Sequence, residues 1–462
     1  MRRFGLSSVL ACLLAVTFVA CQSSPPPSLL AGTGTVYVTV SDAPLASVLA
    51  FQVTLTGLTL SDGTNMVSVL SEPTSVEFGR LLGLRTLLGL SSLPGGTYTS
   101  AILTLATPVI SFLDLSTSPA SVGILEGSLT RSSLTVALDP ALIVSEGGLA
   151  GLHLHFRLRD SLEVDALGEL TGMVDPHIGL RAIPPGAEES FIEELRGGVS
   201  SVNVAGNSFT LQTLRGRLLT VHVNDETLWE EGESLSTLAP PAVVEISGRV
   251  RADRSLLAAS VEVLSRERLL LGGLVLNPEP AMGPAERVTL LVREEIPDLT
   301  GIEVGRTATL EFEERTRFDI HNIELPLEFL LFNRAALVRG QRVALGGALD
   351  TSTTPASFTI RRVVLHRQGV QGGRVPGSVR IVSGNTGGFR LRTGGLFGLL
   401  FDASLQVVTF ERTRFVNLAG LTALQGSEPM RLRIVGLVLR RSDTGEPLLV
   451  AGRIERVLPP TP

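Results

Sequence analysis

Leu152-His153-Leu154-His155-Phe156-Arg157-Leu158-Arg159 decides the fold. Apolar residues alternate with His and Arg at every second position, which is the period of a half-buried strand. The same pattern places Val36, Val38 and Val40 against Tyr37 and Thr39, and Phe51, Val53 and Leu55 against Gln52, Thr54 and Thr56. Such runs continue almost throughout after residue 34. Bounded by Gly, Pro, Ser and Asp, they predict antiparallel sheets with one face in water. Asp62-Gly63 and Pro94-Gly95-Gly96 read as turns in which Gly supplies a positive φ. Arg80 to Leu90 is the exception, because Leu81, Leu84 and Leu88 fall near one helical face and predict a short helix. The predicted class is all-β. An N-terminal antiparallel β-sandwich with one short helix spans 34–184, and three small β-barrel-like domains follow over 195–266, 269–367 and 370–458.

Composition permits this. A chain of 462 residues has room for about three or four domains at ~100–200 residues each. The apolar share of 44% and mean hydropathy of +0.33 provide for real cores. All 39 basic residues are Arg. Their guanidiniums keep their charge and present a planar fork to carboxylates or phosphates. With no Lys in the chain, Schiff-base chemistry is excluded.

The amino terminus resembles a bacterial lipoprotein export signal. Arg2 and Arg3 precede the apolar run 4–20, and Phe18-Val19-Ala20-Cys21 resembles the lipobox cut before Cys. The resemblance implies a leader over 1–20, lipid on Cys21, and a Ser/Pro tether over 21–33. Only this first segment is long and apolar enough to cross a membrane, since residues 81–93 are short and interrupted by Arg85. Cys12 would leave with the leader and Cys21 would be acylated. The mature body would then hold no thiol, which excludes disulfides, thiolate nucleophiles and Cys-ligated zinc. The expected location is the cell envelope, with the chain exported and lipid-anchored on a periplasmic or surface face.

Val38-Thr39-Val40-Ser41-Asp42-Ala43-Pro44, Ser75-Val76-Glu77-Phe78 and Leu93-Pro94-Gly95-Gly96-Thr97-Tyr98-Thr99 follow a familiar order. Over about residues 34–183 the chain resembles the bacterial and archaeal lipoprotein domain of unknown function 4382. That family implies acidic residues in a late strand where this chain has His155 and Arg157. The remainder is a degenerate repeat. A Thr-x-aromatic landmark recurs as Thr227-Leu228-Trp229, Thr316-Arg317-Phe318 and Thr413-Arg414-Phe415, followed by a strand glycine at Gly248, Gly346 and Gly436. This spacing suits barrels of about five strands better than solenoid repeats of ~20–50 residues. Gly197-Gly198-Val199-Ser200-Ser201-Val202, Asn207-Ser208-Phe209-Thr210-Leu211 and Val221-His222-Val223-Asn224-Asp225-Glu226-Thr227 resemble the small exported domain of unknown function 5666. Both resemblances imply small β-domains of no assigned activity.

No nucleophile elbow, Walker loop, zinc helix or EF-hand loop occurs in the sequence. No catalytic residue is assigned. His153 and His155 are the metal candidates, sharing a strand face that Glu163 and Asp165 could complete; with Arg157 and Arg159 continuing that face, a solvated polar face is favoured and no metal is assigned. The repeat positions of Phe318 and Phe415 make Trp229 a core residue and not a ligand platform. Charge is uneven, with 12 Arg against 6 acids over 371–462, a net of +6, and 7 Arg against 13 acids over 1–180. Arg412 and Arg414, and Arg431 and Arg433, are i, i+2 pairs and the expected binding residues of a basic face. The sequence predicts a non-catalytic, lipid-anchored envelope protein acting as a binding or structural module. It needs no cofactor, has no nucleic-acid partner, and suits an anionic glycan, an envelope polymer or a protein. The alternatives are an envelope enzyme acting on glycans, which needs two acids about 5–10 Å apart, and a periplasmic assembly factor using sheet edges.

Overall fold

The computed structural model describes residues 32–457, apart from 44–47, 71, 82–83, 115–120, 167–168, 185–186, 188–189, 214–215, 231, 268, 297–301, 322–329, 351, 353–356, 402–403, 427 and 429. The leader, Cys21 and nearly all of the tether lie outside the described residues. Strands make up 66% of the described residues and helices 5%, so packing is sheet on sheet. No helix among the described residues is long and apolar enough to cross a membrane.

The first domain is the expected sandwich. One sheet runs in the order Ile178–Ile183, Leu149–Arg157, Thr33–Ala43, Thr86–Pro94. The other is built on the long pair Val48–Ser61 and Gly96–Asp114, with Ser133–Val144 and Thr74–Glu77 added at their flanks. Alternate apolar residues from both sheets meet between them, centred on Phe51, Phe78 and Phe156, whose rings lie 4.8 to 6.3 Å apart. One pairing departs from the antiparallel expectation. Thr33–Ala43 and Leu149–Arg157 run parallel, because the chain traverses the second sheet between them and no hairpin dictates their direction.

The helix predicted over Arg80 to Leu90 is instead one 3-10 turn, Gly79–Leu81, followed by the strand Thr86–Pro94. Glu77 caps the turn, accepting hydrogen bonds from the amides of Phe51, Gly79 and Arg80 at 2.7–3.0 Å. Leu88 and Leu93 of the strand enter the sandwich core, while Leu87 and Leu90 pack outward against the next domain. A strand covered on both faces carries Leu on both, and its period-two signal disappears. The turn at Asp62-Gly63 is as expected, with Gly63 at φ +95° and the Asp62 carboxylate accepting from the amides of Thr64 and Asn65. At Pro94-Gly95-Gly96 no positive φ is used; the buried Tyr98 hydroxyl closes that corner by donating to the Pro94 carbonyl at 2.9 Å.

Three five-stranded barrels follow. The first comprises Phe191–Asn203, Ser208–Thr213, Leu218–His222, Val243–Val250 and Leu256–Ser265. The second comprises Leu269–Glu279, Arg287–Ile296, Thr307–Ile320, Arg342–Asp350 and Ser357–His366. The third comprises Gln368–Arg374, Thr386–Thr393, Ser404–Thr409, Arg431–Arg440 and Pro447–Arg456. Numbering the strands of each barrel from one to five, all three close in the order 1-2-3-5-4-1, with strands three and five parallel. This is the connectivity of the OB-type Greek-key barrel.

The repeat landmarks explain how each barrel closes. Thr227, Thr316 and Thr413 are buried, and their hydroxyls donate to the carbonyls of Ala258, Ile360 and Ala451 at 2.8–2.9 Å. Those three residues pair in register with Gly248, Gly347 and Gly436, each at a register shift between strands four and five. A Cβ at any of these glycines would run into the carbonyl oxygen of the facing strand. The equivalent glycine in the second barrel is therefore Gly347, not Gly346 as the sequence pattern indicates. Trp229, Phe318 and Phe415 are half-buried against their own barrel cores, as expected.

Gly436→Ala is expected to destabilise the chain by about 2 kcal/mol, because the facing strand must move. Gly373→Ala, whose new methyl meets open space, should change stability by less than about 0.5 kcal/mol. Urea titration of both variants checks this, and equal midpoints would remove the steric role assigned to the bulge glycine.

Candidate anion-binding cleft

The first sandwich sheet does not keep a wet face. Tyr37, Leu87 and Leu90 pack into the first barrel's core, Thr35 Oγ1 donates to the Ala252 carbonyl and Thr86 Oγ1 to that of Glu194, both at 2.6 Å. Where the same sheet faces the third barrel it leaves a cleft of about 440 Å³. The sandwich contributes Ser41, Arg85, His153, His155 and Arg181; the barrel contributes Arg433, Arg453 and Glu455.

Strand register assembles these groups. Thr39 and Arg181 flank His153 on neighbouring strands, and Ser41 and Gly179 flank His155. Gly179 has no side chain to close the space beside His155. Thr39 Oγ1 lies 3.0 Å from His153 Nδ1, and Ser41 Oγ lies 3.0 Å from His153 Nε2 and 3.1 Å from His155 Nδ1. Across the cleft, Arg433 pairs in register with Glu455, their charged atoms 3.6 Å apart, and Arg453 Nη1 reaches Glu193 of the first barrel at 3.1 Å.

The two histidines do share a face, with rings stacked 6.5 Å apart, but the face is covered and His153 is buried. Arg159 falls in the helical turn Leu158–Ser161, and Glu163 and Asp165 are exposed and do not line the cleft. Burial first, then the charges of Arg433, Arg157 and Arg181, lower the pKa of His155 to about 4. At neutral pH the cleft therefore presents the uncharged His155 ring among guanidiniums, a field that attracts anions and opposes cations. Of the four arginines picked from sequence, Arg433 lines the cleft; Arg412, Arg414 and Arg431 are exposed on the same barrel, outside the lining.

Residues 196–262 match the family model described as a domain of unknown function (DUF5666). No curated protein matches the chain. The matched residues run from the first strand of the first barrel to its last, so the resemblance falls on the barrel that touches the sandwich and both other barrels.

A second cluster lies where the DUF5666-like barrel meets the second barrel. Arg196, Glu245 and Glu262 occupy adjacent register positions on three strands of the first barrel, all pointing away from its core. Glu294, Arg342, His321 and His366 face them from the second. All of these side chains are buried. Arg196 donates from Nε to Glu245 at 2.6 Å, from Nη1 to Glu294, and from Nη2 to His366 Nδ1 at 3.3 Å. Arg342 holds Glu194 through both terminal nitrogens, and Arg80 of the sandwich lies 3.7 Å from Glu294. Burial pushes Glu245 up to about 7 against the pull of Arg196. It also depresses His321 to about 3 and His366 well below the usual imidazole range, helped by the neighbouring guanidiniums.

The sequence reading missed Arg85, Arg181, Arg453 and Glu455 in the cleft and the whole second cluster. Arg181, Arg453 and Glu455 lie on strands and Arg85 just precedes one, but only docking of the domains shows which of their faces converge.

The unfolded chain takes a proton on His155 near pH 6.5 and the folded cleft only near 4. The contribution of the neutral ring is complete above pH 6.5 and is lost as pH falls through 4, about 3 kcal/mol in all. Urea titrations should show His155→Gln losing less stability than the parent between pH 7 and pH 4. Parallel pH profiles would mean that the ring titrates normally in the fold.

Proposed function

We propose that the chain is a non-catalytic, lipid-anchored protein of the cell envelope whose cleft binds an anionic group of a glycan or other envelope polymer. The observation that carries this reading is the lining, where Arg85, Arg181, Arg433 and Arg453 surround His153 and the neutral His155, and Glu455 is the one carboxylate among the described lining residues. Guanidinium forks recognise sulfate, phosphate and carboxylate groups by paired N–H donors. With one acid in the lining, a two-carboxylate glycosidase mechanism has no second partner there. The Phe18-Val19-Ala20-Cys21 segment supports export and acylation at Cys21. The sandwich segments around Asp42-Ala43-Pro44 and Pro94-Gly95-Gly96-Thr97-Tyr98 support kinship with lipoprotein domain 4382. OB-type barrels often present ligands across a sheet face, but here the cleft lies between domains, so fold analogy adds nothing to the ligand's identity.

The test is retention of the tag-free mature chain on heparin and on polyphosphate, with uncharged dextran as control, at 50 and 300 mM salt. Binding should need the anion, weaken at least tenfold at the higher salt, and fall at least tenfold in Arg433→Ala. The double variant Arg412→Ala/Arg414→Ala should lose less than threefold. Equal retention of Arg433→Ala and parent, or binding insensitive to salt, would overturn the assignment.

A further inference from the structure

The seam between the first two barrels holds more ligand atoms than its hydrogen bonds use. Glu245 Oε1 and His366 Nε2 are buried and make no hydrogen bond among the described residues. Glu245 Oε1 faces His321 Nε2 at 3.3 Å, and the other oxygen of the same carboxylate lies 3.7 Å from His366 Nδ1. The two imidazoles stack with centroids 4.9 Å apart. One ligand atom from each of Glu245, His321 and His366 falls within 4.8 Å of the others. A tetrahedral zinc ion with ligands at about 2.0–2.2 Å requires them roughly 3.3 Å apart, which the Glu245–His321 pair already meets.

We propose that Glu245, His321 and His366 form a structural site for a transition-metal dication of the zinc class. Two imidazoles and a carboxylate are a donor set that suits zinc or cobalt and not calcium or magnesium, which take oxygen. A second shell is in place. Glu262 abuts His321 Nδ1 on the side away from Glu245. A proton held there by the Glu262 carboxylate leaves the Nε2 lone pair facing the site, the carboxylate–histidine–metal arrangement that fixes the tautomer. The ligand residues come from two barrels, Glu245 from the first and both histidines from the second. The ion would therefore tie the barrels together.

The surroundings set the terms. Arg196 already holds Glu245 through Oε2, and it competes with the ion for that carboxylate and for His366. Arg342 and Arg80 spend their charge on Glu194 and Glu294. Arg367 also acts on His321. Opposing them, Glu245 and Glu262 supply the two negative charges a dication balances. The alternative occupant of the same space is a single proton on Glu245, and the test separates the two. Because the site is buried, metal must enter before the barrels close on each other.

The experiment uses the tag-free mature chain, unfolded in denaturant with chelator and refolded with Co²⁺, with Zn²⁺, or with neither. One equivalent of metal should remain after gel filtration, with a visible Co²⁺ spectrum of four- or five-coordinate type. The thermal midpoint should rise by at least 5 °C over the metal-free chain. His366→Gln and His321→Gln should each retain less than a tenth of the metal, whereas His153→Gln/His155→Gln should retain all of it. His366→Gln should refold to the same metal-free midpoint as the parent within a few degrees, which separates lost binding from lost folding. If His366→Gln does not fold, the parent's own metal content and midpoint shift still decide the matter. No retained metal and no shift in the parent would leave the proton as the occupant and overturn the site, as would metal that survives both seam variants. Neither outcome touches polyanion binding in the cleft, which His321→Gln and His366→Gln leave intact.

Discussion

Arg196 has no route to water, and everything around it is arranged to make that tolerable. Its guanidinium meets Glu245 of its own barrel, Glu294 of the next and His366 beyond. Glu294 in turn reaches Arg80 of the sandwich. Taking such charges out of water costs several kcal/mol per ion, and an apolar seam of the same shape would be at least as stable. What the ion network adds is position. An apolar face slides, whereas a fork that must meet carboxylates on two barrels fixes one rotation of one barrel on the other. Around it, Val243, Leu264 and Leu270 with Ile296, Ala344 and Val364 form a small dry cluster, so the polar contacts are set within burial that supplies the adhesion.

From that fixed pair the rest is placed. The DUF5666-like barrel carries Glu193 to Arg453 of the third barrel and the Glu194 carbonyl to Thr86 of the sandwich. The second barrel shares its core with the third through Leu437, Leu439 and Val450. Gln341 and Gln368 add side-chain bonds to the carbonyls of Val438 and Gly340. The cleft exists because the sandwich sheet and the third barrel are held apart by two domains to which both are bound. Its walls come from segments at least 252 residues apart, from Arg181 to Arg433, and no local preference could have brought them together.

Local rules did determine what was legible. Alternation at Val36–Val38–Val40 and Leu152–Leu154–Phe156 gave strand, and the Thr-x-aromatic landmarks gave three copies of one barrel, because each Thr closes a hydrogen bond that only this strand crossing provides. The same rules failed where a face was covered by another domain. Leu87 and Leu90 pack on the first barrel while Leu88 enters the sandwich, so the run mimicked a helix. His153 and His155 were placed correctly on one face, yet that face was expected to be wet. Period two separates inward from outward; it carries no information about whether outward means solvent or another domain. Gly346 illustrates the residual ambiguity at a finer scale, since two adjacent glycines fit the pattern and only strand register selects Gly347 as the one at the bulge.

Both polar clusters are built from the same residue types, and the difference between them lies in the ratio of acids to guanidiniums. At the seam, Glu194, Glu245 and Glu294 meet Arg196, Arg342 and Arg80, so each fork has a carboxylate, and Glu262 abuts His321. In the cleft, Arg85, Arg181, Arg433 and Arg453 line the walls with Glu455, which pairs with Arg433, while Arg453 reaches Glu193. A balanced cluster can be sealed from water, because its charges satisfy one another. The seam is closed in this way, whereas the cleft is open because the sandwich sheet and the third barrel are held apart. The ratio also separates their chemistry: the seam offers a place to a cation, and the cleft offers one to an anion.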